Sequence, residues 1–503
     1  MHLGRLLARL ARRHGDRIAL RDAKGDWSFA CFGARLARLG HALRGLGLGR
    51  GDRVALLLPD IREYLECDYG CMAAGLVRVP LDPRLPPGDL VALLRHAGAR
   101  ALLTHAELAP PLALLRDALP ELAHVVSVGG PLPGAVAYES LLASAIDAPF
   151  EDGDAADLAT LNFSGGTTGR PKAIMLRHRN LAAVLQNTIA GFDARPEDVF
   201  LNLRPLWPIA QLVMFAHLAA GATVVLGGRF IPEAFAAQVD SSGATRTSLV
   251  PTQLVRALPH MTTADPRLAR LTAVILGGSR LPPADFATAL AVCGPRLGVL
   301  YGMTEAPVST YLPPAALRDE AAMASVGHAL FSTELRIGGP GGAALPPSEE
   351  GEVMIRGPHV MAGYWNDPAA SGAALADGWL HTGDLGRLDA TGLLSITGRL
   401  KEVIRSGATS IVPAEVEDAL ASHPDVAEVA VAGMPDREWG EAVTAFVVLR
   451  PGATPDAAAL VAHCRAVLAA HKKPRRVCFV EAIPRSHYGK VLKPQLLALA
   501  GDA

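Results

Sequence analysis

The chain has 503 residues, half of them hydrophobic and 19% charged, with a formal net charge of -1. Such a composition belongs to a globular protein of more than one domain with a large core, and it excludes a disordered chain. The near-neutral balance offers no electrostatic footprint for nucleic acid or an anionic membrane. Six cysteines without a CxxC pair argue against a disulfide framework or a zinc ribbon.

Residues 1–13 are amphipathic and rich in arginine, as a transit peptide is. Asp16 and a strand-like Ile18-Ala19-Leu20 follow at once, so an ordinary first helix is expected. Ser28 can cap a helix with Phe32, Leu36, Leu39 and Leu43 on one face and Arg35, Arg38 and Arg44 pointing away. A buried strand is predicted over 53–59. Cys67 and Cys71 lie four apart in an apolar helical stretch and read as core thiols in preference to metal ligands. Short apolar runs at 76–80, 101–104 and 125–128 alternate with helical stretches, and the alternation resumes at 222–226, 248–250, 273–276 and 297–300. This is the pattern of layered α/β structure with mostly parallel strands.

The longest apolar stretch, 212–228, carries His217 and several glycines and falls short of the roughly 20 residues a spanning helix needs. A soluble, cytoplasmic protein is expected, with no membrane or nucleic-acid partner. From about Leu335 the strands 335–337, 352–355 and 393–396 are spaced by Gly/Pro turns, which suits a small β-barrel-like subdomain. Beyond Arg399 a helix (414–421), two strands (426–432, 442–449), a helix (456–468) and a strand (477–480) form a compact α+β module.

The most informative stretch runs from Phe163 to Lys172. An apolar run (158–161) opens into a turn containing Ser164, Gly165, Gly166, Thr167, Thr168 and Gly169, with Lys172 after it. Glycines permit close backbone approach, the hydroxyls donate, and the lysine supplies a cation, a set suited to a polyphosphate. The spacing is not that of a Walker A loop.

Five further stretches carry chemistry. Gly277-Gly278-Ser279 ends a strand where backbone amides can meet a base or ribose. Tyr301-Gly302-Met303-Thr304-Glu305 offers an aromatic face, a close-approach glycine, a hydroxyl and a carboxylate, the last a natural Mg²⁺ ligand beside phosphates. Asp384 is read as lying in a turn, suited to a ribose diol, and Arg399 to Glu402 as a charged cluster at a domain boundary. Lys490 sits on a glycine-containing loop near the C-terminus. Singly, each of these has a plain structural explanation: a core aromatic, a turn former, a surface charge.

Together, in this order and from about Trp27 to Lys493, they resemble the adenylate-forming superfamily of acyl- and aryl-CoA synthetases, nonribosomal-peptide adenylation domains and luciferases. The resemblance implies a large N-terminal domain (1–398) of layered α/β subdomains, a hinge (399–402) at Lys401, and a mobile α+β C-terminal lid (403–503). It implies that Thr167, Thr168 and Lys172 hold the β- and γ-phosphates, with Ser164, Gly166 and Gly169 in the same loop. Gly278 and Tyr301 would frame the adenine within Gly277–Ser279 and Gly302. Asp384 and Arg399 would hold the ribose, Thr304 the α-phosphate and Glu305 Mg²⁺, while Lys490 would bridge the acid and the phosphate. The activity implied is ATP-dependent activation of a small acid, aromatic acids included, with CoA as the foremost acceptor and a carrier protein or an amine as others.

Departures from the family pattern cluster at the acid site. Pro205-Leu206-Trp207-Pro208-Ile209-Ala210 replaces an aromatic-histidine pair, and Leu300 stands where glycine is common in roomy pockets. Both changes add bulk, so a small acid site is expected. Arg204 and Arg280 flank these segments as candidates for an anionic substrate, and a solvated arginine explains each equally well. Gly407-Ala408 replaces a Gly-Gly pair beside the expected pantetheine path. A diazotase-like enzyme that activates nitrite for attack by an aromatic amine is therefore a second reading. A luciferase-like oxygenase or a silent adenylate-binding protein is a third.

Overall fold

Two wide sheets, each buried on both faces, take up the short apolar runs. The computed structural model describes the chain except for residues 110–111, 151, 164–170, 210, 282, 318–319, 408, 486–490 and 501–503. In the nine-stranded first sheet, Leu297–Met303, Ala273–Gly277, Arg246–Leu249, Val199–Asn202, Thr223–Leu226 and Ile18–Asp22 run parallel in that spatial order, with antiparallel strands at both edges. In the eight-stranded second sheet, Leu158–Phe163, Val77–Pro80, Arg53–Leu57, Ala99–His105 and His124–Val128 are parallel neighbours. Runs such as Val54-Ala55-Leu56-Leu57 are buried without alternation, as strands covered on both sides must be.

Helices Leu3–His14, Phe29–Gly45, Arg62–Ala73 and Gln211–Ala219 lie between the sheets and share one core with their inner faces. Ser28 caps the second of these through its Oγ, 3.1 Å from the Cys31 amide. Cys67 and Cys71 are fully buried in that core, and burial pushes both thiols up. Among the described residues, no helix is long and apolar enough to cross a membrane.

One buried ion pair holds the first sheet to the helix His178–Phe192. Arg246 Nε lies 2.9 Å from Asp198, and its Nη1 and Nη2 donate to the carbonyls of Phe192 (2.5 Å) and Asp193 (3.0 Å) at the helix C-terminus. Replacing one partner of such a pair orphans a buried charge. Arg246→Met is therefore expected to destabilise the protein by about 3–5 kcal/mol, read from the urea midpoint, and a loss below about 1 kcal/mol would contradict this role.

The region expected to be barrel-like holds a four-stranded antiparallel sheet of Glu334–Gly338, Gly351–Arg356, Leu380–Leu388 and Leu394–Arg399. Beyond it, Ile404–Ser406, Thr409–Ile411, Gly440–Leu449, Val426–Asp436 and Arg476–Phe479 make a separate sheet. Helices Pro413–Ala421 and Ala457–Val467 pack on it around a core of its own.

Candidate active site

The strand after Ala273–Gly277 does not end at Tyr301, as a parallel strand leading to a loop would. It continues to Met303, turns over Thr304 and Glu305, and returns as Ala306–Leu312, with Met303 opposite Ala306. A two-residue turn thus carries the hydroxyl and the carboxylate at the tip of a hairpin. Glycine is required at 302, because a Cβ there would stand 2.6 Å from the Val308 amide nitrogen.

Asp384 lies in the strand Leu380–Leu388, where a turn was expected. Met354 pairs with His381 but Glu352 with Leu385, so Val353 alone faces Thr382, Gly383 and Asp384. Gly383, at φ 71°, supplies the turn-like conformation inside the strand. Glu352 Oε1 accepts the Gly383 amide (2.9 Å), and Thr382 Oγ1 donates to the Val353 carbonyl (2.6 Å) while accepting the Asp384 amide (3.0 Å). Three hydrogen bonds thus hold the bulge.

Three of the expected residues meet at Asp384. Its Oδ2 accepts the Tyr301 hydroxyl at 2.8 Å, and its Oδ1 lies 3.0 Å from Nε of Arg399, its cross-strand partner. Burial, followed by the neighbouring carboxylate, pushes the Tyr301 phenol well above its usual range and keeps it a donor. A second group meets at Tyr364. Its hydroxyl donates to Glu305 Oε1 (3.1 Å), and the Lys172 ammonium sits 4.7 Å from its ring centroid. The Met361 amide holds the Glu305 carbonyl at 2.8 Å. Lys172, at the exit of the glycine-rich segment, is thereby brought against the hairpin tip. Tyr364 carries no sequence signal of its own beyond an aromatic after Gly363.

The remaining candidates are distributed around this centre. Gly277 is buried beside Leu300, a Cβ at 277 falling 3.5 Å from the Leu300 Cβ, and Gly278 adopts φ 106° next to Val250. Ser279 is exposed. Trp207 is buried with the Arg84 guanidinium 5.0 Å over its ring, and its bond to Pro208 is cis. Arg204 Nη1 donates to Ser248 Oγ (3.1 Å). Arg280 pairs at 2.7 Å with Asp418 on the C-terminal helix Pro413–Ala421. Lys401 sits in the single turn Leu400–Glu402, and burial followed by Arg399 lowers its ammonium pKa. Ser164, Gly165, Gly166, Thr167, Thr168, Gly169, Ala210, Ala408 and Lys490 lie outside the described residues.

The model of the AMP-binding enzyme family matches residues 7–365, and that of the AMP-binding enzyme C-terminal domain matches 415–490. The chain belongs to the AMP-binding enzyme family. It is an ATP-dependent adenylate-forming ligase, and the resemblance carried by its motifs holds over nearly its full length. Among its relatives are a feruloyl-CoA synthase of an Amycolatopsis species (36% identical, covering 98% of each chain) and an indoleacetate–CoA ligase of Aromatoleum aromaticum (35%, covering 99% of this chain and 98% of the relative). Its fold is that of the ATP-bound MatB of Rhodopseudomonas palustris, with a TM-score of 0.92 at 30% identity over 100% of this AMP-binding enzyme and 99% of that chain.

Proposed function

We propose that this enzyme activates a small aromatic acid as its AMP anhydride and transfers the acyl group to CoA. The observation that carries this reading is the convergence on one hairpin of Tyr301, Asp384 and Arg399 with Glu305, Tyr364 and Lys172. The first trio suits a nucleoside, with an aromatic face for the base and a buried carboxylate to accept from the ribose hydroxyls. The second suits phosphate, with a cation facing a carboxylate across one tyrosine ring.

In this reading Lys172, with Thr167 and Thr168, holds the β- and γ-phosphates, and Thr304 donates to the α-phosphate. An oxygen of the acid attacks the α-phosphorus in line, the bond to the bridging oxygen breaks, and pyrophosphate leaves. Negative charge grows on the phosphoryl oxygens, so fixed donors aimed there lower the barrier. Glu305 is a single buried carboxylate, the kind of donor that suits Mg²⁺, which keeps most of its waters and neutralises phosphate charge when bound. Lys490 contacts the acid and the α-phosphate, and Lys401 is the pivot about which the C-terminal domain withdraws it for CoA. The buried Trp207 and the bulk of Leu300 opposite Gly277 support a small acid site, and the two CoA-forming relatives named for aromatic acids support its class.

The test is AMP formation with hydroxycinnamic, indolic and long-chain fatty acids, each with and without CoA. Turnover confined to aromatic acids and dependent on CoA is expected. Equal turnover with fatty acids would sink the acid class. Product from nitrite and an aminophenol without CoA would replace the acceptor by an amine.

A further inference from the structure

The backbone at Leu206, Pro208 and Gln211 is held by side chains from the second sheet and from the helix that follows its strand Arg53–Leu57. The Leu206 amide donates to Asp60 Oδ1 (2.7 Å), the Pro208 carbonyl accepts Arg78 Nη1 (3.2 Å), and the Gln211 carbonyl accepts the Tyr69 hydroxyl (2.9 Å). Asp60, Tyr69 and Arg78 all come from the end of Arg53–Leu57, the helix Arg62–Ala73 and the strand Val77–Pro80.

The Arg78 contact is the costly one. Its side chain and that of Asp68 are both fully buried, with Nε 2.9 Å from Oδ1, an ion pair in which Arg78 Nε and Nη2 and both Asp68 oxygens make no hydrogen bond among the described residues. A buried ion pair of this kind is weak evidence for stability, because two well-packed apolar side chains of similar volume commonly do as well or better. What an apolar pair cannot do is donate to a carbonyl. The Arg78 strand also pairs with Leu158–Phe163, in register at Thr160, so one residue, through its backbone and its side chain, links the strand entering the glycine-rich segment to the Trp207–Pro208 pair.

We propose that Arg78, oriented by Asp68, is a positioning residue for the acid: by holding the Pro208 carbonyl it fixes the Trp207–Pro208 wall against which the acid's ring packs. This rests on the reading that Trp207 and Pro208 line the acid site.

The experiment compares steady-state kinetics of the wild-type enzyme, the double variant Asp68→Leu/Arg78→Met, and Trp207→Ala. The double variant removes both charges at once, so it leaves no orphaned charge, and it takes away the donor to the Pro208 carbonyl. In it, KM for the preferred acid is expected to rise about tenfold or more, with kcat and KM for ATP changed less than about threefold. Selectivity against a bulkier acid is expected to fall in parallel. Wild-type KM and selectivity in the double variant would overturn the proposal, as would an equal rise in both KM values, which marks general loosening. Should the double variant not fold, Arg78→Lys keeps the charge beside Asp68 but offers one nitrogen where arginine uses two, Nε toward Asp68 and Nη1 toward the Pro208 carbonyl. It is held to the same outcomes. A shifted acid KM in Trp207→Ala with none in the Arg78 variants would reject the positioning role and leave the acid-site reading standing. No shift in either would reject both.

Discussion

Lys490→Ala is expected to slow adenylate formation by about 10²–10³, the usual effect of removing one preorganised electrostatic donor from a developing anion. ATP affinity is expected to change less than about threefold, because in this account Lys490 acts where charge grows in the transition state and not on the bound nucleotide. The residues on either side are held together. The Leu492 amide donates to the Pro484 carbonyl (2.8 Å), Arg485 and Val491 form a bridge, and Arg485 pairs with Glu428 on the strand Val426–Asp436. The residues that flank 486–490 are thus tied to the C-terminal sheet. Single-turnover formation of the acyl adenylate, set beside ATP binding by titration, separates the two quantities. Weakened ATP binding with an unchanged adenylation rate would remove Lys490 from the chemistry.

The second large effect falls on Asp384. Its carboxylate already has two partners, Tyr301 and Arg399, and such a trio could exist purely to tie the hairpin to the small sheet. The two roles separate in Asp384→Asn. Asparagine keeps the shape and an acceptor for Tyr301, but it loses the charge that faces Arg399 and strengthens any bond to a ribose hydroxyl. Hydrogen bonds to charged groups contribute about 1.5–3 kcal/mol, so KM for ATP is expected to rise on the order of ten- to a hundredfold. KM for the acid should follow less steeply. A variant with lower thermal stability and an unchanged KM for ATP would make Asp384 a structural residue.

Much of the fold could be read from the chain because its strands are short, apolar and separated by glycine, and its parallel sheets need no alternation to be recognised. The hairpin was harder. Its turn, Thr304–Glu305, lacks glycine and asparagine, and Pro307 argues against a strand in Ala306–Leu312. Asp384 misled for the opposite reason, since Gly383 is a turn residue used inside a strand. Side-chain partners far apart in the chain were out of reach. Nothing in spacing joins Glu305 to Tyr364, and Arg280, flanking the expected acid site, meets Asp418 of the C-terminal helix. The pair Asp68–Arg78 is invisible for a similar reason, because two charges in an apolar stretch read as a solvated face until both prove to be fully buried.

The claim on which the rest depends is that one nucleotide, bound at this hairpin, is attacked at its α-phosphorus by a carboxylate. Isotope exchange between labelled pyrophosphate and ATP tests it most directly. Exchange that requires an aromatic acid, proceeds without CoA and disappears in Lys490→Ala is the predicted result. Purified protein that catalyses no exchange with any acid or oxyanion offered would contradict it.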